Sequence, residues 1–247
     1  MNKNFIFIGH RGTRVCDENT IYAFNKALKY GANFIECDVR KTKDNQLIII
    51  HDTTLERTTN GIGLIKNLTY DEINQFKTKI NNEHVPLLSD VLEFFINKVN
   101  FMIELKEQNI RKELMNMMEK KDLIEHSIFS SRDLDELRLI KKKYPESRIC
   151  YNITKGKKLT LSQFLELGNQ NKKLNYKFDM LSLRSSLIST KFIEICHRNQ
   201  VLAFSWDFLH YTNPLDKIKS LIKEGIDGIL FDNYKNISVI KEWLKKN

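Results

Sequence analysis

Short apolar segments alternate with longer amphipathic stretches along the whole chain. This alternation is typical of βα units and predicts a parallel sheet. The predicted strands are 5–9, 33–39, 46–50, 100–105, 126–130, 147–151, 178–183, 201–205 and 228–231. The predicted helices are 19–30, 89–97, 109–120, 132–143, 189–199, 214–224 and 236–245, with a further small helix from Thr69 to Lys77.

The number of strands favours a closed TIM (β/α)8 barrel over an open doubly wound sheet. If residues 33–50 form one bent pair of strands, about eight strands remain for the barrel wall. A chain of 247 residues is the usual length for one such domain, so a single domain over 1–247 is predicted. Residues 52–85 are predicted to be a small insertion after the second strand region, forming a lid or a substrate wall.

Reactive side chains stand at the ends of the first four of these strands. Strand side chains alternate between faces, so residues two apart share a face. The residues predicted to face the barrel interior are Ile6, Ile8, His10, Phe34, Glu36, Asp38, Ile49, His51, Met102, Glu104 and Lys106. Those predicted to face the helices are Phe5, Phe7, Ile35, Val39, Ile103 and Leu105.

These reactive groups also lie where barrel active sites form, at the carboxyl ends of the strands. Three converging carboxylates, Glu36, Asp38 and Glu104, would repel one another in a partly desolvated site unless a divalent cation neutralised them. Oxygen ligands favour Mg²⁺ or Ca²⁺, while the nearby histidines leave Mn²⁺ and Zn²⁺ open. The site therefore predicts one divalent metal ion.

The remaining charged groups fit chemistry at a phosphate. Arg11 and Lys106 are predicted to bind its oxygens. His10 and His51 are predicted to form an acid–base pair, in which one deprotonates the attacking oxygen and the other protonates the leaving oxygen. The sequence leaves open which histidine is the acid and which is the base.

At this point the chain closely resembles the glycerophosphodiester phosphodiesterase family. The family motifs run from His-Arg-Gly through Glu-Asn-Thr, Glu-x-Asp-Val and His-Asp-x-x-Leu-x-Arg-Thr-Thr-x-Gly-x-Gly to Glu-x-Lys. They occur here as His10-Arg-Gly12, Glu18-Asn-Thr20, Glu36-Cys-Asp-Val39, His51 through Gly63, and Glu104-Leu-Lys106. The resemblance is dense over about residues 5–106 and thinner beyond.

The resemblance implies a metal-dependent TIM barrel that hydrolyses small glycerophosphodiesters to sn-glycerol 3-phosphate and an alcohol, a step in lipid and glycerol metabolism. It implies the same roles as above for the ligands Glu36, Asp38 and Glu104, for the pair His10 and His51, and for Arg11 and Lys106. Two alternatives stay open: a lysophospholipase D-like activity, and a cyclising phosphodiester lyase in which a substrate hydroxyl attacks the phosphorus.

Departures from the family pattern fall in the second half of the chain. The usual Trp-Thr-Val-Asn segment is Phe204-Ser-Trp-Asp207 here, and Phe204 is predicted to offer its ring to the glycerol. Asp232-Asn-Tyr234 replaces Asp-x-Pro, and Ser131-Arg132 replaces Ser-Phe. These changes leave the predicted metal and acid–base residues intact and bear on which alcohol is accepted.

The formal net charge of +9 raises the alternative of a non-catalytic module that binds polyanions. The lysines are interspersed with acidic residues, and the longest basic run is Lys141 to Lys143, so no nucleic acid partner is predicted. Stable membrane insertion and a secretory signal are not predicted either, which favours a cytoplasmic protein. The oligomeric state is not predicted.

A structural or surface position is the expectation for several other reactive residues. These are His84, His126, His197 and His210, the loop residues Glu18, Asn19, Arg57, Thr58 and Thr59, and the cysteines Cys16, Cys37, Cys150 and Cys196. Asp52 is expected to point away from the interior, because its neighbour His51 points inward.

Overall fold

The computed structural model describes residues 5–169 and 177–246, and nine strands form within them. They are β1 (Ile6–Gly9), β2 (Phe34–Lys41), β3 (Leu47–Ile49), β4 (Asn100–Leu105), β5 (Ser127–Ser131), β6 (Arg148–Asn152), β7 (Met180–Arg184), β8 (Leu202–Trp206) and β9 (Gly228–Phe231). All of them except β3 pair in parallel, and β1 pairs with both β2 and β9. These eight strands close a barrel, and the predicted TIM barrel is confirmed.

Helices follow the strands around the outside of the barrel, and one short helix, α2, lies in the insertion at 52–85. They are α1 (Ile21–Lys29), α2 (Tyr70–Ile73), α3 (Leu88–Phe95), α4 (Arg111–Lys120), α5 (Leu134–Lys143), α6 (Leu161–Asn169), α7 (Thr190–Arg198), α8 (Pro214–Lys223) and α9 (Tyr234–Lys246). Several begin with a capping side chain, as where Thr20 accepts a hydrogen bond from the Ala23 N–H. Such caps fix where each strand-to-helix loop ends.

Helix α6 was not predicted, although its start carries a readable signal. Thr160 Oγ1 accepts a hydrogen bond from the Gln163 N–H at 3.3 Å. Gln163 Oε1 in turn accepts one from the Thr160 N–H at 2.9 Å. This reciprocal pair is a capping box, and the spacing of Thr and Gln is its sequence signature.

Two apolar layers confirm most of the predicted strand phases. The barrel interior is filled by Ile8, Phe34, Met102, Ile128, Cys150, Met180, Phe204, Trp206 and Leu230. The layer between strands and helices contains Phe5, Phe7, Ile35, Val39, Ile103 and Leu105 as predicted. Ile49 is a correction: it lies in this outer layer, because β3 runs antiparallel beside the end of β2 and contributes nothing to the barrel wall.

The predicted insertion at 52–85 carries a small apolar cluster of its own. Leu55, Ile65, Ile73 and Val85 pack against Ile48 and Ile50, the residues on the other face of the β3 segment. Thr69 caps α2 in a second capping box, with Glu72 as its partner. The apolar cluster anchors the insertion to the segment that ends at His51.

Candidate active site

The loop after β1 has a backbone conformation that aims its groups at the neighbouring strand. Arg11 and Gly12 both have positive φ, at 54° and 73°. A Cβ at position 12 would lie 2.6 Å from the Ala23 backbone carbon, so this position requires glycine. The turn directs the Arg11 N–H to Glu36 Oε2 at 2.7 Å, so a conformation that is uncommon for arginine ties the loop to β2.

The three predicted ligands meet at the ends of adjacent strands. Asp38 on β2 pairs in register with Glu104 on β4, and Glu36 is two residues before Asp38 on the same face. One oxygen from each of the three carboxylates can be chosen so that all lie within 4.8 Å of one another. Burial, then the charges of Asp38 and Glu104, raise the pKa of Glu36 well above its ordinary value.

Two cations balance the charge of these carboxylates. Lys106 Nζ lies 3.2 Å from Asp38 Oδ1 and 3.0 Å from Glu104 Oε1. Arg11 Nε lies 3.1 Å from Asp38 Oδ2. Burial alone would raise the pKa of Asp38, but Lys106 and Arg11 outweigh it and hold that pKa well below its ordinary value.

The donor set fits a hard divalent cation. The three groups supply only carboxylate oxygens, which Mg²⁺ and Ca²⁺ prefer. Asp38 Oδ1 is buried and makes no hydrogen bond within the described residues, so an oxygen is available beside the ion pair with Lys106. Burial and then repulsion by Asp38 and Glu104 raise the pKa of Glu36, and a cation would relieve the repulsion.

Each of the two predicted acid–base histidines is held by an aspartate. His10 Nδ1 lies 2.7 Å from Asp232 Oδ1, and His51 Nδ1 lies 2.6 Å from Asp52 Oδ1. A carboxylate at Nδ1 favours the tautomer with the proton on Nδ1, which leaves Nε2 of the neutral ring as a proton acceptor. Both rings therefore have a nitrogen available for proton transfer.

Burial and neighbouring charges shift the pKa of His51. Burial lowers the pKa of His51, and the charges of Arg11 and Lys106 lower it further against the opposing effect of Asp38. A hydrogen bond from Arg40 Nε to the His51 carbonyl oxygen, at 2.9 Å, holds this loop against β2. The lowered pKa favours the neutral ring of His51, which can accept a proton.

The loop residues Glu18, Asn19 and Arg57 brace the site. Asn19 Nδ2 donates to Asp38 Oδ2 at 2.8 Å, and the Asp38 N–H donates to Asn19 Oδ1 at 3.3 Å. Glu18 Oε1 accepts from Arg11 at 2.8 Å and from Arg57 at 2.5 Å. Arg57 also donates to Asp52. Capping of α1 falls to Thr20 rather than to Glu18 or Asn19.

One cavity brings most of these groups together. It is lined by His10, Arg11, Glu36, His51, Met102, Glu104, Lys106, Ser130, Arg132, Asn152, Ser182, Trp206 and Leu230. Asp38 lies just behind them, almost fully buried. All predicted metal, histidine and phosphate residues thus lie at one place.

Phe204 is a predicted site residue that lies away from the cavity. Its side chain is fully buried in the barrel interior, against Gly228, and it does not line the cavity. Trp206 shares its face of β8, lies two residues closer to the strand end, and does line the cavity. The Arg184 guanidinium packs over the Trp206 ring, 5.2 Å from its centroid. The aromatic surface at the end of β8 therefore belongs to Trp206.

Three residues that contribute here were not predicted as site residues. Asp232 was noted only as a departure after the last strand, and Asp52 only as a carboxylate facing away. Each holds a histidine instead. Arg132, which replaces a family phenylalanine, lines the cavity. Its position directly after a barrel strand was a usable signal.

The remaining histidines lie outside the cavity. His197 pairs with Asp227 at 2.8 Å, and His210 packs on Tyr211 with ring centroids 4.2 Å apart. His84 contacts Lys77 and the Asn74 carbonyl oxygen. His126 is exposed and precedes β5, at the opposite end of the barrel. The expectation of structural or surface positions is met for these four.

Two histidines and an acidic cluster at the strand ends of a parallel barrel are the groups that a phosphoric diester hydrolase uses, and the family match assigns the chain to this class of enzyme. The chain belongs to the glycerophosphoryl diester phosphodiesterase family, whose sequence profile matches residues 8–236.

Individual relatives agree with that assignment. A glycerophosphodiester phosphodiesterase of Caldanaerobacter subterraneus subsp. tengcongensis is 30% identical over 243 residues, covering 92% of this chain and 94% of the relative. One from Bacillus altitudinis is 30% identical over 258 residues, covering 99% and 100%. An Oleispira antarctica phosphodiesterase, solved in complex with the product sn-glycerol-3-phosphate, superposes with a TM-score of 0.78 at 21% identity, covering 96% of each chain.

Within residues 5–169 and 177–246, no helix combines the length and the apolar character needed to cross a membrane. The prediction that there is no secretory signal was made from the N-terminal segment. The first four residues of that segment lie outside the described residues.

Proposed function

We propose that this protein hydrolyses glycerophosphodiesters to sn-glycerol 3-phosphate and an alcohol, with a divalent cation held by Glu36, Asp38 and Glu104. The observation that carries the proposal is the lining of one cavity by two aspartate-held histidines and by acidic residues of the cluster. Membership of the family and the names of the relatives support the choice of substrate.

The cation, Mg²⁺ or Ca²⁺ by its oxygen ligands and with Mn²⁺ open, would neutralise and polarise the phosphate oxygens when bound. Arg11 and Lys106 now balance the carboxylates, at 3.0 to 3.2 Å. With a cation present, their N–H groups are available to bind phosphate. Arg11 presents a planar fork and Lys106 a point charge.

His10 and His51 perform the proton transfers. One accepts the proton of the attacking water at Nε2, and the other donates a proton to the leaving alcohol oxygen. Asp232 and Asp52 hold the rings by their Nδ1–H groups, which leaves Nε2 of each ring for proton transfer. General acid–base catalysis of this kind typically contributes about 10²- to 10⁴-fold to the rate for each group.

The test measures release of glycerol 3-phosphate from glycerophosphocholine. Chelation should abolish activity, and a single divalent metal should restore it. His10→Ala and His51→Ala should each fold and lose about 10²-fold or more in kcat, while the matched control His126→Ala keeps wild-type activity. Full activity in the chelated protein would overturn the metal-dependent mechanism.

Product identity separates hydrolysis from the two alternatives. Phosphorus NMR should show glycerol 3-phosphate as the final product. A cyclic phosphate as the final product would identify a cyclising lyase. Turnover confined to acylated substrates, with release of a lysophosphatidic acid, would identify a lysophospholipase D-like enzyme.

A further inference from the structure

A second, larger cavity adjoins the first one. It has a volume of about 350 Å³ and shares His51, Glu104, Lys106 and Arg132 with the first cavity. The residues that line only the second are Arg40, Leu105, Glu107, Gln108, Ser131, Asp133, Lys155 and Lys157. His10 lines the first cavity but not the second, so the second cavity extends from the His51 side of the site.

Every acidic group that lines the second cavity is already engaged. Glu104 pairs with Lys106 at 3.0 Å, Glu107 with Arg40 at 3.2 Å and Asp133 with Lys157 at 3.3 Å. Gln108 donates to Asp133 as well, at 2.9 Å. These contacts account for three of the five cationic side chains around the cavity.

The two cations left over are Arg132 and Lys155. Neither has an acidic partner within residues 5–169 and 177–246. Arg132 Nε is buried and makes no hydrogen bond in that part of the chain. A buried N–H without an acceptor is unfavourable, and an anionic group bound in the cavity beside Arg132 would supply one.

Arg132 and Lys155 form a cationic corner of the cavity, and backbone hydrogen bonds fix its position. The Lys157 N–H donates to the Arg132 carbonyl oxygen at 2.8 Å, which joins the loop after β6 to the end of β5. The Asp133 N–H donates to Ser131 Oγ at 3.0 Å. Lys155 lies in the same loop with a positive φ of 57°, and its side chain is exposed. The corner is therefore preformed at Arg132, with Lys155 at its outer edge.

We infer that this cavity receives the alcohol part of the substrate and that Arg132, assisted by Lys155, selects alcohols that carry a second anionic group. The inference rests on the proposed function. Hydrolysis forms a bond from water oxygen to phosphorus and breaks the bond from phosphorus to the alcohol oxygen, which takes a proton. Because His51, Glu104 and Lys106 border both cavities, the second cavity opens directly from the reacting centre and can hold the alcohol part as it leaves the phosphorus.

Two substrates that differ by one group test the inference. Glycerophosphoglycerol has a neutral alcohol part, and the same diester with a terminal phosphate on that part has an anionic one. Both contain the same scissile bond. At fixed free metal concentration, wild-type protein should show a kcat/KM about tenfold higher for the phosphorylated diester, which is a typical gain from a charge-assisted contact.

Arg132→Met should lower the ratio of the two kcat/KM values by about tenfold, and Lys155→Met should lower it by about threefold. For glycerophosphocholine, whose alcohol part is cationic, Arg132→Met should act in the opposite direction and raise kcat/KM relative to glycerophosphoglycerol. Arg198→Met removes the same charge at the end of α7, at the opposite end of the barrel, and should leave all the ratios as in wild type.

The outcomes are distinct. An equal loss on all three diesters in Arg132→Met would place Arg132 at the scissile phosphate and overturn the inference. Hydrolysis of all three by the wild type without preference would overturn it and leave the proposed function standing. No hydrolysis of any diester with any divalent metal would overturn both. If Arg132→Met fails to fold by thermal melting, the exposed Lys155→Met decides by its ratio.

Discussion

The two histidines are held by aspartates in different structural settings. His10 and Asp232 are 222 residues apart in sequence, directly follow the first and last strands, and have side chains only 6% and 2% exposed. His51 and Asp52 are sequence neighbours in a loop and are 27% and 26% exposed. The first pair joins the strands that close the barrel, and the second depends on local geometry.

This difference predicts that the two aspartates affect stability and catalysis to different degrees. Asp232 also accepts hydrogen bonds from Arg14 and the Phe208 N–H, and its carbonyl oxygen accepts from Thr13 and the Arg14 N–H. Asp52 contacts His51 and Arg57 at the cavity edge. Loss of Asp232 should therefore weaken the fold and the chemistry together, whereas loss of Asp52 should affect the chemistry alone.

The largest effect is expected for Asp232→Ala. The substitution leaves the buried His10 and Phe208 donors without an acceptor, so the free energy of unfolding should fall by about 3 kcal/mol. Urea denaturation measures this, and kcat should fall about 10²-fold or more as His10 loses its orientation. Asp232→Asn, which keeps the shape, should recover more stability than activity. Wild-type stability in Asp232→Ala would contradict a role of this pair in closing the barrel.

The same pair predicts how stability depends on pH. Burial would raise the pKa of Asp232, but the hydrogen bond from His10 and the charges of His10 and Arg14 lower it to about 2, from an ordinary value of 3.8. Because the folded pKa is the lower one, this stabilisation is fully present above about pH 4 and is lost as the pH falls toward 2. The loss should amount to about 2 kcal/mol of the free energy of unfolding.

The measurement compares the free energy of unfolding of wild type and Asp232→Asn from pH 5 to pH 2. The difference between the two proteins should shrink by that amount, because the asparagine variant has no carboxylate to titrate. A constant difference across this range would show that the charge of Asp232 contributes nothing to stability.

A smaller effect is expected for Asp52→Ala. The hydrogen bond that Asp52 accepts from the His51 ring raises the pKa of His51 against the lowering by burial, so its removal should lower that pKa further. The acidic limb of the kcat profile should move to lower pH, and kcat at pH 7 should fall about tenfold, since the histidine is less well oriented. The free energy of unfolding should change by less than about 0.5 kcal/mol. A loss of stability comparable to that of Asp232→Ala would remove the distinction between the pairs.

The sequence predicted the carboxylate cluster because its geometry follows from strand alternation and from the meeting of strand ends in a parallel barrel. Glu36 and Asp38 are two apart on one strand, and the parallel pairing of β2 with β4 brings Glu104 beside them. The same rule placed His10 at a strand end. It was wrong for Ile49, since alternation gives no information on whether a strand enters the barrel wall.

Strand alternation could not predict contacts between segments that are far apart in the sequence. Asp232 meets His10 only because the barrel closes, and a shift of register by one residue would have turned it away. Phe204 and Trp206 share one face of β8, so alternation could not distinguish them, and their depth in the barrel decides which one lines the cavity. The cationic corner at Arg132 depends on a loop that arrives after the next strand.

The smallest effect is expected at Arg57, which links the two regions. It donates to Asp52 and to Glu18, and Glu18 in turn holds Arg11 beside the carboxylates. Arg57 is about half exposed, so Arg57→Ala should change the free energy of unfolding by less than about 1 kcal/mol and lower kcat about threefold. Arg138→Ala, a cation paired on the surface of α5, is the control for loss of charge.

A double-mutant cycle with Asp52→Ala determines the route by which Arg57 acts. If Arg57 orients His51 through Asp52, the double variant should have the kcat of Asp52→Ala alone, because the contact is already lost. If the two losses multiply instead, Arg57 acts through Glu18 and Arg11. The local histidine pair would then be coupled to the buried half of the site, and the separation between the two regions would hold for stability but not for catalysis.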